Sequence, residues 1–393
     1  MSAKPTLVVL SPRFPYPIEK GDKLRLYHQL QALVTQFEVH LVSLSDHNIK
    51  IKDQEVIDEL VQKSHIILQK KFRLLKSIPK FLFGSKPMQV NYYDEPRIKR
   101  KIADLLKEIK PDLVYVQLIR IAQMVEHFNG PMAIDYMDAM SLNMQRESKF
   151  RSYFMRKIFG LEAQKVLKVE KCVDGIFHRK FIISKPDKEY LESKGIDNLE
   201  ILRNGVDVDF FNPDLVGKSE RKYDLGFVGN MGYLPNILAA EFLVENILEK
   251  SNENYKILIA GARPHKRVKK LARENVDVSG WMNDIRDAYT SSKLMVAPIF
   301  SGAGQQNKIL EAMALGKVCI TTPQVNDAIN AEEGKEIFTA KTEDEFIEKI
   351  NYLLNNPELC VEIGKNARNF VVNNYKWHIA GNLLNNKLLE LLK

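Results

Sequence analysis

Cysteine is scarce in this chain: Cys172, Cys319 and Cys360 are the only three among 393 residues, and no two form a Cys-x-x-Cys pair. That excludes a disulfide framework and a cysteine zinc site, and leaves the three to be read as small core residues. Long apolar runs are missing too. Nothing approaches the roughly 20 residues that cross a bilayer, and Leu7 to Leu10 is too short for the core of a signal peptide, so a cytoplasmic protein is expected. Neither Leu7 to Leu10 nor Leu225 to Val228 is followed by Gly-x-Gly-x-x-Gly, which argues against a dinucleotide-dependent oxidoreductase. There is no repeat of solenoid length and no low-complexity segment.

What is present is the mixture of a folded protein, 45% hydrophobic and 27% charged, on a chain long enough for two domains with a core each. The charge is uneven. Residues 1 to 221 carry 37 Lys and Arg against 29 Asp and Glu, whereas residues 222 to 393 carry 21 of each, so the whole excess of +8 is N-terminal. A nucleic-acid binder is expected to be basic throughout, so no nucleic-acid partner is inferred, and the halves should meet different partners.

Short Val-, Ile- and Leu-rich runs recur at Leu7 to Leu10, Val39 to Leu44, Ile66 to Leu68, Leu113 to Val116 and Phe181 to Ile183, with amphipathic stretches between them. The rhythm restarts at Leu225 to Val228, Lys256 to Ala260, Val276 to Val278, Leu294 to Ala297 and Val318 to Thr321, with a helical pattern at Asn236 to Lys250. Continuously apolar runs alternating with helices predict an α/β fold with two parallel sheets, whose ligands bind beyond the strands' carboxyl ends. The boundaries expected are an N-terminal Rossmann-like domain over 1–205, a C-terminal one over 222–375, and a helix over 376–393 that crosses back to the first.

The segment from Val296 to Ile320 passes from a strand through a loop of small residues, Gly302-Ala303-Gly304-Gln305-Gln306-Asn307, into a helix that ends at Gly316. Such a loop lets backbone N–H groups approach an anion at the positive end of a helix. Lys308 can add a charge-assisted bond to a diphosphate, and Glu311 can accept from two vicinal ribose hydroxyls. The two also read as an ordinary surface pair three residues apart. Arg263 and Lys266 follow a strand that ends at Gly261 and can reach phosphate oxygens, with a solvated surface position the alternative for each. Gly280-Trp281-Met282 follows another strand and suits a nucleobase slot, with core packing the alternative for Trp281. Asp22 reads as the cap of a first helix opened by Gly21, or Gly21's backbone lies beside a donor phosphate or acceptor; Asn204-Gly205 reads as a tight turn.

Glu311-Ala312-Met313-Ala314-Leu315-Gly316 resembles the donor-site signature of retaining glycosyltransferases of the GT-B fold. Arg203-Asn204-Gly205-Val206-Asp207 with Phe210-Phe211, Gly229-Asn230-Met231 with Pro235-Asn236, Gly261-Ala262-Arg263-Pro264 and Val278-Ser279-Gly280-Trp281 follow in family order. Arg13-Phe14-Pro15-Tyr16-Pro17, Lys20-Gly21-Asp22-Lys23-x-Arg25 and Gln306-Asn307-Lys308 look most like the subgroup associated with exosortase (PEP-CTERM) exopolysaccharide systems. The resemblance implies two facing Rossmann-like domains with a deep cleft, and a hexosyltransferase that moves a sugar from a nucleotide-diphospho-sugar to a glycan or lipid-linked saccharide with retention of configuration. It implies no cofactor and no metal. Lys308, Arg263 and Asp138 would be catalytic. Gly302, Ala303, Gly304, Gln305, Gln306, Asn307, Glu311, Gly229, Asn230, Gly280, Trp281 and Met282 would hold the donor, and Gly21, Asp22, Lys23 and Asn204 would face the acceptor.

Two departures from the family stand out. Counting back eight from Glu311 reaches Ala303 where relatives carry a first glutamate, and Met137 stands where many carry histidine in Asp135-Tyr136-Met137-Asp138. The sugar contacts then fall to the loop backbone and to Gln305 or Gln306, while Asp138, or Asp135, takes the sugar or acceptor contact unless it serves a local turn. A GT-B sugar-nucleotide epimerase and a catalytically silent scaffold remain as alternatives. Two basic stretches suit an anionic inner-membrane surface. One runs from Ile66 to Lys86 with Lys70, Lys71, Arg73, Lys76, Lys80 and Lys86 among Phe72, Phe81 and Phe83; the other is a single long helix from Arg146 to Lys171.

Overall fold

The computed structural model describes residues 3–69, 84–149, 152–217, 222–301 and 304–393. The chain divides into two compact units, residues 1–203 with 377–393, and residues 204–376. The first holds β1 (Thr6–Ser11), β2 (Glu38–Ser45), β3 (Lys63–Leu68), β4 (Leu113–Gln117), β5 (Met132–Met137), β6 (Arg179–Ile182) and β7 (Leu199–Ile201). All pairings are parallel, in the order β3-β2-β1-β4-β5-β6-β7. The second holds β8 (Tyr223–Val228), β9 (Ile257–Ala260), β10 (Val276–Gly280), β11 (Ser292–Ala297), β12 (Val318–Thr321) and β13 (Phe338–Thr339), again all parallel, in the order β10-β9-β8-β11-β12-β13.

Each apolar run read from the sequence falls on a strand; in β1, β4, β9 and β12 this is because a strand buried on both faces by helices has no polar alternation to break the run, whereas β3 and β10 are partly exposed. Strands β7 and β13, of three and two residues, are too short to register as runs. In both sheets the order reverses beside the first strand, between β1 and β4 and between β8 and β11. At such a point the following loops diverge to opposite faces and leave a crevice at the carboxyl edge.

The tail helix, Trp377–Leu389, belongs to the first unit. Leu384 and Leu388 join the apolar cluster of Leu26, Leu30 and Leu33, the Asn385 side-chain amide donates to the Ala32 carbonyl at 2.9 Å, and Trp377 stacks on His28 with ring centroids 4.4 Å apart. A side chain at Gly381 would overlap Ala32, so glycine sets how closely the two helices cross.

Three sequence expectations change. Cys319 is buried, but Cys360 is half-buried and Cys172 exposed, so only one of the three is a core residue. The basic stretch from Arg146 is not one helix: Met140–Ser148 and Tyr153–Asp174 are separate. The helix from Leu234 continues in π-helical geometry over Phe242–Leu248.

Asp135, inside β5, is fully buried and held by four side-chain donors: Arg25 Nε at 2.6 Å and a terminal nitrogen of the same guanidinium at 3.2 Å, Gln29 Nε2 at 2.9 Å and the Tyr115 hydroxyl at 3.1 Å. A carboxylate so occupied is a structural knot that ties the first helix, Gly21–Leu33, to the sheet. It also accepts from the Met137 N–H at 3.0 Å, which steadies Met137 at φ 64 and turns the chain toward Asp138.

Candidate functional site

In the C-terminal unit the loops after β8, β9 and β10 are stitched together at the carboxyl edge. Gly229 N–H donates to the Ala260 carbonyl at 3.0 Å, Met231 N–H to Ala262 at 2.9 Å, and Gly261 N–H to Gly280 at 2.9 Å. Gly261 sits at φ +133, and a Cβ there would overlap the Gly229 carbonyl; no other residue fits. A Cβ at Gly229 would in turn press on the side chains of Asn236 and Lys308. The glycines thus leave room for a lysine to lie along the edge.

Lys308 enters from the second turn-forming position of the helix Asn307–Ala314. Its ammonium donates to Asn236 Oδ1 at 2.5 Å and lies 5.1 Å from the centre of the Phe227 ring. Burial pushes its pKa down to about 7, with the Glu311 charge acting the other way. Glu311 accepts from the Tyr289 hydroxyl at 2.7 Å, and burial raises its pKa against that bond and the nearby Lys308. The surface-pair reading is therefore corrected: both side chains are partly buried and each has its own partner. Asn236 Nδ2 donates to the Asn230 carbonyl at 2.9 Å, which fixes which end of the amide faces Lys308. Asn236 and Tyr289 were not singled out for these roles from the sequence. Their partners lie 72 and 22 residues away, and only the fold joins them.

Around this centre the remaining residues sort differently. Arg263 is exposed, at φ 56, and its side chain makes no hydrogen bond or ion pair among the described residues. Lys266 is also exposed. Trp281 is 74% exposed, which overturns its core-packing alternative, while Met282 packs partly buried against the core and Gly280 takes φ +70. Asn230 spends its side-chain oxygen on Gly232 N–H at 3.1 Å in a local turn. Gln305 is clamped to the main chain of Asn204: its oxygen accepts from Asn204 N–H at 3.0 Å and its amide donates to the Asn204 carbonyl at 2.9 Å. That arrangement corrects the expectation of Gln305 as a sugar contact. Asn307 Oδ1 accepts from Asn204 Nδ2 at 3.5 Å, and Gln306 Nε2 reaches the Gly304 carbonyl at 3.4 Å. The chain does not turn at 204–205, and neither Asn204 nor Gly205 has positive φ; Asn204 is a buried brace for the loop. Gly302 and Ala303 lie outside the described residues, as do 70–83 of the first basic stretch.

In the N-terminal unit, Asp22 is not a helix cap. It is the second residue of the Gly21–Leu33 helix, whose cap position is Lys20, and its carboxylate pairs with Arg13 at 2.5 Å. A Cβ at Gly21 would meet open space. Lys23 Nζ reaches the Pro17 carbonyl at 3.4 Å, and burial lowers its pKa. Asp138 follows β5; burial, then the charge of Asp187, pushes its pKa up to about 7, with Arg120 opposing. Asp135 is withdrawn into the knot described above, which leaves Asp138 as the carboxylate of this pair still available to a ligand.

Residues 222–356 match the family model of glycosyl transferases group 1. The chain is 21% identical over 391 residues to an uncharacterized 44.6 kDa protein in the cps region of Klebsiella pneumoniae, covering 94% of this chain and 96% of the relative. Among solved structures it is similar to a glycosyltransferase from Rickettsia africae, with 16% identity, 99% of each chain covered and a TM-score of 0.69. It is also similar to HepE of Anabaena in complex with UDP-glucose, with 13% identity, 98% and 99% covered and a TM-score of 0.70. Two Rossmann-like parallel-sheet units with these neighbours make the fold GT-B.

Proposed function

We propose that this protein is a retaining glycosyltransferase that moves a sugar from a nucleotide-diphospho-sugar to a glycan or lipid-linked saccharide in the assembly of a cell-surface polysaccharide. The observation that carries the reading is Lys308, a half-buried lysine held near neutrality beside a glycine-lined strand edge. A diphosphate there restores its charge and is bound by it. The family match over 222–356, the UDP-glucose bound by HepE and the cps-region relative support the donor class and the pathway.

As the bond from the sugar's C1 to the β-phosphate breaks, negative charge grows on the leaving group. Lys308 and the exposed Arg263 stabilise it electrostatically, with the N–H groups of the loop before Asn307, and no divalent metal is needed. Glu311, oriented by Tyr289, accepts from the ribose hydroxyls, and Trp281 covers the base. A β-phosphate oxygen takes the acceptor's proton on the face the leaving group departs from, which retains the configuration. Gln306 and the loop backbone contact the sugar, and Asp138 the sugar or acceptor.

The test is a thermal-shift screen with UDP-, GDP-, ADP- and dTDP-sugars, since a ligand of the native state raises its apparent stability. Transfer follows with the donor that binds. Lys308→Met should reduce transfer roughly 10²–10³-fold, the effect of removing one stabilising donor. A protein stabilised by none of the four sugars would sink the reading; a sugar nucleotide interconverted without acceptor would replace it with epimerisation.

A further inference from the structure

Two arginines of the N-terminal unit are delivered to one place by neighbouring strands. Arg13 stands two residues beyond the end of β1. Arg120 stands three beyond the end of β4, in the 3-10 turn Ile119–Met124 that follows Leu118 at φ 70. β1 and β4 are adjacent, and the strand order reverses between them, so their following loops border the crevice of this sheet. The strand ends are pinned: the Ser11 hydroxyl donates to Gln117 Oε1 at 3.3 Å, and Gln117 Nε2 donates to the Asp22 carbonyl at 2.8 Å. Arg13 spends one nitrogen on Asp22 and remains 37% exposed. Arg120 is the anomaly. Its Nε is shut off from water with no hydrogen-bond partner, and its side chain makes no hydrogen bond or ion pair among the described residues. The groups that bear on its charge are Arg13, Tyr93, Asp138 and Asp22, and the first of these repels it.

A guanidinium whose Nε is buried without a partner, and on which a second guanidinium charge bears, is costly to fold around. An oxyanion between them removes the repulsion and accepts from both forks in the bidentate geometry that guanidinium favours. Lys23, on the first turn of the helix that carries Asp22, adds a third cation, whose ammonium reaches the Pro17 carbonyl at 3.4 Å and feels the charges of Glu19 and Asp22 as well as Arg13. The several N–H donors of two guanidinium forks suit the several oxygens of a phosphoryl group better than the two of a single carboxylate. Building on the glycosyl-transfer reading, we infer that Arg120, Arg13 and Lys23 form a site in the N-terminal unit for a phosphate or diphosphate ester carried by the acceptor.

The experiment is calorimetric titration of the full chain, its donor site saturated with the nucleotide that binds, using geranyl diphosphate, inorganic pyrophosphate and glucuronate as probes. The expected result is binding of geranyl diphosphate that weakens at least tenfold in Arg120→Gln and in the surface variant Arg13→Gln, partial recovery in Arg120→Lys, and unchanged nucleotide affinity in all three. Equal binding of pyrophosphate identifies the phosphoryl group itself as the ligand; preference for the geranyl ester adds the lipid as its source. Glucuronate binding as tightly as either, or diphosphate affinity untouched by both glutamine variants, overturns the proposal. Loss of nucleotide binding in Lys308→Met with geranyl diphosphate still bound separates a failure at the donor site from a failure here.

Discussion

Lys308 illustrates how one residue's chemistry depends on what the chain wraps around it. An ammonium on an open helix keeps its charge at neutral pH, whereas here burial brings its pKa down to about 7 because the charged form loses hydration. A bound diphosphate favours that charged form and raises the pKa again. The sign follows: above pH 7 the free protein holds Lys308 largely neutral, so binding must take up a proton, and affinity falls as pH rises from 7 toward the bound-state pKa, by at most about tenfold per unit. Calorimetry at pH 8 in buffers of different ionisation enthalpy should show uptake approaching one proton, absent in Lys308→Met; uptake of none in the wild type contradicts the assignment. Lys308 and Glu311 were legible from their loop-to-helix setting. Their orienting partners were not, because Asn236 and Tyr289 are ordinary residues until the sheet places them, and neither was the withdrawal of Gln305 into its clamp on Asn204.

At the scale of elements, strands wrote themselves into the sequence while helix crossings did not. A fully buried strand must be apolar along its length, so β1, β2, β4, β8, β9, β11 and β12 stand out as runs. The exception is informative: β5 is interrupted by Asp135, whose burial is tolerated only because Arg25, Gln29 and Tyr115 satisfy it from other elements. The docking of the tail on the first helix rests on Gly381 against Ala32. Gly381→Leu should overpack this crossing and lower stability by about 1–3 kcal/mol, read as a reduced denaturant midpoint, while affinity for the nucleotide proposed to bind within residues 204–376 stays the same. A variant as stable as the parent would show that the crossing gives without cost.

Across the whole molecule the charge asymmetry gains a physical surface. The helix Tyr153–Asp174 exposes Tyr153 at 75%, Phe154 at 72% and Leu161 at 61% beside Arg156, Lys157, Lys165 and Lys168, in the unit that balances to +11 against −3 for residues 204–376. Among the described residues no helix is long and apolar enough to cross a membrane, and the proposed partner of this face is an anionic bilayer at the cytoplasmic side of the inner membrane. The protein should co-sediment with vesicles rich in phosphatidylglycerol, less so as salt rises, and not with phosphatidylcholine alone. Replacing Arg156 and Lys157 by Gln should weaken the partition by about 1 kcal/mol each, and Tyr153→Ser with Phe154→Ser should reduce it further. Partition indifferent to all four would remove this helix from the contact.

The sequence by itself determined the repeated α/β plan and the phosphate-seat pattern before Asn307, since strand burial and loop-to-helix geometry are local demands that each segment must meet in its own residues. Tertiary structure alone decided which polar groups are spent and which are left over. Asp135 is consumed, Gln305 is clamped to Asn204, Trp281 is exposed, and Arg120 Nε has no hydrogen-bond partner among the described residues. A hydrogen bond needs its partner within about 3 Å, and the residues that supply those partners lie tens to hundreds of positions away along the chain.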